Sequence, residues 1–331
     1  MSPALAVSAA LLVSALLVVA AGAPVVASFE ALIRGAFGSK FALLETLVVA
    51  TPLIFTGLSV GIAFRARLYN IGAEGQLYAG ALAAAAVATG KVGLPESVLL
   101  PAALVGGFIG GGVALAVPAM LKTRLHVDEV VTTLLLNFII LLVVSLVVLG
   151  PWKDPLFASA SVPVLADAKL PRFTGTRLGY GIVLAGAAAV LLWILIHRTG
   201  LGYRIQAIGS NRRAAEFHGI SATRTILTTA LISGGLAGLA GTVQLLGNSY
   251  RLSEGLAIGY GYAGIVVALL ARLHALGVLA AAVFFAAVKT GSDNLAREFT
   301  VPPAIADVIQ GLALLFMLAA LLLVNFRIRR E

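Results

Sequence analysis

The sequence predicts an all-α fold, a polytopic bundle of about ten membrane-spanning helices. Three observations carry that prediction: 60% of residues are hydrophobic, only 11% are charged, and the mean hydropathy is +1.04. A soluble chain carries roughly 25% charged residues and has nowhere to hide so much apolar surface. The 36 glycines and the abundant alanine fit the same reading, because small residues weaken a helix in water but let helix backbones approach closely in lipid.

Stretches almost free of Lys, Arg, Asp and Glu fall near 4–27, 46–64, 73–90, 98–119, 130–149, 178–196, 225–246, 256–271, 273–288 and 304–326. Each approaches the roughly 20 apolar residues that a spanning helix needs. The eighth and ninth are short and are parted only at Arg272–His274. The first contains Ala21-Gly22-Ala23, which resembles a signal-peptidase site. It lacks a basic start and its apolar run is too long for a signal segment, so it reads as an ordinary span.

The connection around 197–224 carries Arg198, Arg204, Arg212, Arg213 and Arg224, and the tail carries Arg327, Arg329 and Arg330. The positive-inside rule places both in the cytoplasm. With ten spans, that parity puts both termini inside, on the side of Arg65, Arg67, Lys122, Arg124 and Arg272, and puts the long connection 150–177 outside. The chain 1–331 then forms a single transmembrane domain. Its net charge of +9 is scattered between apolar runs, which suits a cytoplasmic lipid surface and not nucleic acid. The absence of cysteine excludes disulfides, thiolate metal sites and cysteine nucleophiles.

Ionisable groups at bilayer depth usually mark ion or proton pathways. Here the spans contain essentially none: Glu45, Glu74 and Asp307 sit near predicted ends, where each can reach the interface or a neighbouring helix terminus. An ion-coupled carrier lacks its machinery, and an intramembrane enzyme lacks the converging carboxylate, His or metal cluster it would need. No catalytic residue, metal ligand or cofactor site is therefore expected. Uncharged polarity remains at Thr132, Thr133 and Asn137 in the fifth span and at Gln244, Asn248 and Ser249 ending the seventh. Thr133, Asn137, Gln244 and Asn248 are candidates for a path taken by a neutral, hydrogen-bonding solute, or else they bond between helices. A faint internal echo at an offset of 207 pairs Phe55, Gly57, Leu58, Val60 and Arg65 with Tyr262, Gly264, Ile265, Val267 and Arg272.

Two polar segments stand out. Arg65–Gln76 reads R-A-R-L-Y-N-I-G-A-E-G-Q, with Asn70, Gly72, Glu74, Gly75 and Gln76 opening the next helix. Its glycine spacing is not that of a nucleotide-binding loop. It reads as a tight cytoplasmic turn with Glu74 well placed near a helix N-terminus. In the second segment, 198–224, Ser210 or Asn211 can cap a short helix through Arg212, Ala214, Ala215, Glu216 and Phe217, which Gly219 can stop. A capped helix held between two spans is a lever, and a solvated connector is the alternative. His218 is a lone imidazole without a ligand cluster.

The runs N-I-G-A-E-G-Q at 70–76 and G-Y-R-I-Q-A-I-G-S-N-R-R-A-A-E-F-H-G-I at 202–220 resemble those of ABC-importer permeases for branched-chain amino acids, ribose-type sugars and nucleosides. The likeness spans about 43–325. V-D-E-V-V-T-T-L-L-L-N-F at 127–138 and G-P-W-K-D-P at 150–155 are most similar to the nucleoside (guanosine-type) branch. The resemblance implies a type II-like permease fold in a bacterial or archaeal cytoplasmic membrane, with a second, related permease, two cytoplasmic ATPase subunits that hold ATP and magnesium, and an external solute-binding lipoprotein. It implies a coupling helix for the ATPase at Gly209, Ser210, Asn211, Arg212, Ala214, Ala215, Glu216 and Gly219. The chain departs from its relatives at 259–277, where Ala263, His274 and Ala275 replace a frequent Asp and Asn-Pro. Simple sugars and branched-chain amino acids are the alternative solutes.

Overall fold

The computed structural model describes residues 24–299 together with Val19, Val308 and Gly311. Nearly all of the first and tenth expected spans thus lies outside the described residues, as do Ala21-Gly22-Ala23, Asp307 and the tail arginines. The described chain is mostly helical. Its helices are α1 (Val25–Phe37), α2 (Lys40–Arg65), α3 (Ala73–Ala88), α4 (Glu96–Leu125), α5 (Glu129–Leu149), α6 (Gly181–Arg198), α7 (Gly200–Ser210), α8 (Arg212–Phe217), α9 (Ala222–Gln244), α10 (Tyr260–Leu270) and α11 (Gly277–Glu298).

Among the described residues, six helices are long and apolar enough to cross a bilayer: α2, α4, α5, α6, α9 with its π-helical extension to Ser249, and α11. The stretches expected to span at 73–90 and 256–271 form shorter helices, α3 with 16 residues and α10 with 11. Each is short for a visible reason. α3 starts at Ala73, within a polar knot at 70–76, and α10 starts only after a segment whose backbone is bound elsewhere. α1 is a separate helix that hydropathy alone did not mark.

The chain divides into two compact units, one holding the described residues up to Ala50 and from Val283 onward, the other Thr51–Ala282. In the first, Asn294 Nδ2 donates to the Ala31 carbonyl at 3.0 Å and Arg34 pairs with Glu298 at 2.6 Å. In the second, α9 packs on α3 and α4 through glycine. A Cβ added at Gly238 would overlap the Gly107 carbonyl, and one at Gly111 would overlap the Gly234 carbonyl. Backbones this close exclude lipid between them, which is how helices associate where the solvent is itself apolar.

The geometry also moves the internal echo. Arg67 and Arg272 both take left-handed backbone, at φ 54° and 51°. Each lies in a matching helix end, where Leu68 N donates to the Ala63 carbonyl at 3.0 Å and Leu273 N to the Ala268 carbonyl at 2.8 Å. The correspondence there is A-F-R-A-R-L-Y-N-I-G at 63–72 with A-L-L-A-R-L-H-A-L-G at 268–277, an offset of 205 and not 207. Arg67, not Arg65, therefore answers to Arg272. Arg65 instead crosses between the two turns, its Nε donating to the Leu273 carbonyl at 2.9 Å.

The connection 150–177 adds a small non-helical element, an antiparallel hairpin of β1 (Lys153–Asp154) and β2 (Phe157–Ser161). It is strapped along the chain that follows α9. Ser161 N donates to the Leu252 carbonyl at 2.8 Å, Val164 N to Tyr250 at 2.9 Å and Leu170 N to Leu246 at 2.9 Å. Asp154 pairs with Arg251. The hydrogen bond from that guanidinium, with a further one from Leu156 N, holds the Asp154 carboxyl below the usual carboxylate range.

Candidate functional site

The expected tight turn at 70–76 is packed inside the protein: Asn70, Gly72, Glu74, Gly75 and Gln76 are all buried. Its polarity is satisfied from within. Asn70 and Gln76 exchange amide hydrogen bonds at 2.8 and 2.7 Å, and Asn70 Oδ1 also accepts from Gly72 N at 3.0 Å. Asn70 Nδ2 reaches Ser233 Oγ at 3.3 Å, and Ser233 in turn donates to the Ser59 carbonyl at 2.8 Å. A closed knot of this kind ties the start of α3 to α2 and α9, and a buried polar network is tolerable only when its members are partnered.

Asn137, from the middle of α5, completes the knot. Its Oδ1 accepts from Gly75 N at 2.8 Å, and its Nδ2 donates to the Ile71 carbonyl and to the Tyr262 hydroxyl, both at 3.2 Å. Glu74 takes the second of its expected options and reaches a neighbouring helix terminus. Its carboxylate accepts from Gly259 N at 2.7 Å and Gly261 N at 2.6 Å, at the start of α10. An anion is stabilised there by unpaired N–H groups and by the helix dipole. Two interrupted helices thus begin side by side, locked by one carboxylate and one amide.

Of the remaining path candidates, Thr133 is buried with its hydroxyl bonded to the Glu129 carbonyl at 2.7 Å. Asn248 Nδ2 donates to Gln244 Oε1 at 2.9 Å, and Gln244 Nε2 reaches the Leu256 carbonyl at 3.4 Å. Asn137 is brought to the 70–76 segment. Gln244 and Asn248 are brought instead to the chain leading into α10.

Beside the knot, between α3, α5 and the segment 254–262, lies a partly open cavity of about 610 Å³. Its polar lining comes from Glu74, Tyr78, Ser145, Glu254 and Tyr262, and none of Thr133, Asn137, Gln244 or Asn248 is among its described lining residues. Tyr78 fastens its outer wall, donating to the Glu254 carbonyl at 2.5 Å and accepting from Ala257 N at 3.2 Å. Sequence reading missed Tyr78, Ser145, Glu254 and Tyr262. Glu254 had a visible signal as a carboxylate standing between two apolar runs; Ser145 had none.

The 198–224 segment folds as two short helices. Asn211 caps α8, its Oδ1 accepting from Ala214 N at 3.1 Å, and Gly219 ends the turn at φ +80°. Ala215 is buried in a cluster with Leu68, Leu115, Ile208 and Ile226. Gly209 lies so close to the Arg65 carbonyl that a Cβ there would overlap it, and Arg67 donates to the Ser210 carbonyl at 3.3 Å. Arg212 pairs with Glu216 at 3.0 Å. The outward face carries Arg213, Ala214 and His218 around Phe217, which is 91% exposed. The helix is thus rooted on one side at the end of α2, next to the 70–76 knot, and bare on the other.

Residues 42–318 match the family described as the branched-chain amino acid transport system permease component. The chain belongs to that family. It is 35% identical over 320 residues to the guanosine ABC transporter permease protein NupP of Bacillus subtilis, covering 95% of this chain and 92% of NupP. Identity is 34% to the glucose ABC transporter permease protein TsgB13 of Haloferax volcanii (99% and 89% covered). It is 30% to the nucleoside ABC transporter permease protein NupB of Lactococcus lactis (88% and 82%). Among solved structures, the fold is similar to PsaBC from Streptococcus pneumoniae in complex with Fab, at a TM-score of 0.51 and 15% identity over 88% of this chain and 95% of that one. The chain is thus a multi-pass membrane permease.

Proposed function

We propose that this chain is the permease subunit of an ATP-driven nucleoside importer, and that α8 is the lever through which partner ATPases drive it. The observation that carries the mechanism is the two-sided character of α8: Ala215 is buried in the membrane bundle while Phe217 on the same helix is 91% exposed. A bare aromatic ringed by Arg213 and His218 suits an apolar groove with an acidic rim on a cytoplasmic partner. Nucleoside is favoured as solute by the names of NupP and NupB and by the 127–138 and 150–155 runs. A simple sugar is the second reading, favoured by the similarity to TsgB13.

The chain would act as one transmembrane domain of about ten spans in the cytoplasmic membrane, both termini inside, beside a second permease and an external solute-binding protein. Nucleotide-driven closure of the ATPases would shift α8, and with it the end of α2 and the 70–76 knot, switching access between outside and inside. Hydrolysis belongs to the partners. Because Ala215 is buried, a charge there would damage the permease itself, so Ala214 and Phe217 are the informative positions. Phe217→Asp and Ala214→Arg should leave the permease inserted and monodisperse, yet abolish co-purification of the ATPases and ATP-dependent uptake. Full ATPase retention in both variants would refute the docking face.

A further inference from the structure

We infer that the cavity between α3, α5 and residues 254–262 is where the solute halts on its way through. Its planar base would lie against Phe138 and Tyr262, and its vicinal hydroxyls would bind Glu254 and Ser145. The inference rests on the nucleoside reading and deepens it.

Most helix hydroxyls among the described residues are spoken for, Ser28, Thr290 and Ser292 being buried exceptions away from the cavity lining. Thr133, Thr225, Thr229 and Thr242 each donate to the carbonyl four residues back, at 2.7 to 3.0 Å. Ser145 sits late in a spanning helix and lines the cavity, and its hydroxyl has no hydrogen-bond partner among the described residues. Glu254 lines the same cavity, and its carboxylate likewise has neither ion pair nor hydrogen bond among the described residues. Glu254 is exposed while lining the cavity, so its carboxylate is open to a ligand's hydroxyl groups.

The remaining groups fit one class of ligand. Glu74 and Tyr78 are already committed to the backbone of the 254–261 segment, so they shape the wall and leave Glu254 and Ser145 to bind. Phe138 and Tyr262 offer aromatic surface on opposite elements, α5 and α10. A mostly apolar cavity of a few hundred Å³ with a few convergent polar groups is the ordinary form of a small-molecule site. A carboxylate accepts two adjacent hydroxyls, and a ring face accepts a planar heterocycle. A nucleoside carries both, whereas a simple sugar carries only the first.

The absence of cysteine makes the test clean. Ser145→Cys and Leu146→Cys are each expressed with the complete assembly in membrane vesicles and treated with a small thiol reagent, and labelling is read on the permease band. Leu146 is the next residue of α5, 71% exposed and outside the cavity lining. Guanosine at ten times its dissociation constant should slow labelling at position 145 about tenfold by mass action, while glucose should leave it unchanged. Labelling at position 146 should respond to neither. Because protection is read without transport, it stands even where Ser145→Cys works slowly. Glu254→Gln should raise the KM for guanosine several-fold while the ATPases remain bound.

If the unmodified assembly imports guanosine but position 145 is unprotected, the cavity assignment falls and the nucleoside reading stands. Protection by glucose alone, in an assembly that imports glucose, overturns both.

Discussion

α5 and α9 invert the rule that governs soluble proteins. The best 18-residue window of α5 has a mean hydropathy of 2.8 and is 17% buried, whereas that of the α9 span reaches only 1.6 and is 72% buried. The more apolar helix is the one left bare. In water this would be a folding error; in lipid the apolar face has nothing to gain by leaving the solvent, and association falls to small residues that let backbones touch. α9 carries Gly234, Gly235, Gly238 and Gly241, and α5 carries Leu, Ile and Val along Leu134–Leu149 with no glycine.

The largest effect should follow from disturbing α9. Gly238→Val would drive a branched side chain into the Gly107 carbonyl and Gly111, an overpacking cost of about 3 kcal/mol. Thermal unfolding in detergent should show a sharply lowered midpoint or no folded permease at all. Next comes Glu74→Gln, which replaces a carboxylate accepting two α10 N–H bonds by a neutral amide. Charge-assisted bonds contribute about 2 kcal/mol each and a neutral acceptor keeps part of that. Thermal stability should fall moderately, and exchange at the Gly259 and Gly261 amides should quicken.

A smaller, pH-dependent effect is expected at the hairpin. Because the Asp154 carboxyl titrates below its ordinary value of 3.8, its contribution is present above that pH and is lost as the pH falls through the depressed value. The wild-type hairpin should therefore stay protected in hydrogen exchange at pH 4 to 5 and loosen only below, while Asp154→Asn should loosen it at every pH. The smallest effect belongs to the outward face of α5. Leu146→Ala, at a position 71% exposed, should change the thermal midpoint by no more than about 0.5 kcal/mol would. A large loss there would mean that this face meets protein.

Hydropathy made the helical class legible and located α2, α4, α5, α6 and α9, while α11 runs ten residues past the expected end at 288, to Glu298. The stretches 73–90 and 256–271 were also located, as the shorter helices α3 and α10, but hydropathy gave no sign of where each helix would start. α8 was readable from Asn211 and Gly219, because capping is a local property of residue type. The face it turns outward was not. That Ala215 is buried and Ala214 exposed depends on contacts with α2 and α9 far off in sequence. Likewise Asn70, Gly72, Glu74, Gly75 and Gln76 were identifiable as a unit, but their partners Ser233, Asn137 and Gly261 lie 62 to 187 residues away.

The direct test of the central claim is accumulation of labelled guanosine in sealed vesicles, comparing the chain alone with the chain joined by its ATPases, second permease and binding protein. Uptake against a gradient should occur only in the complete assembly and only with ATP. Accumulation by the isolated chain without nucleotide would contradict the account.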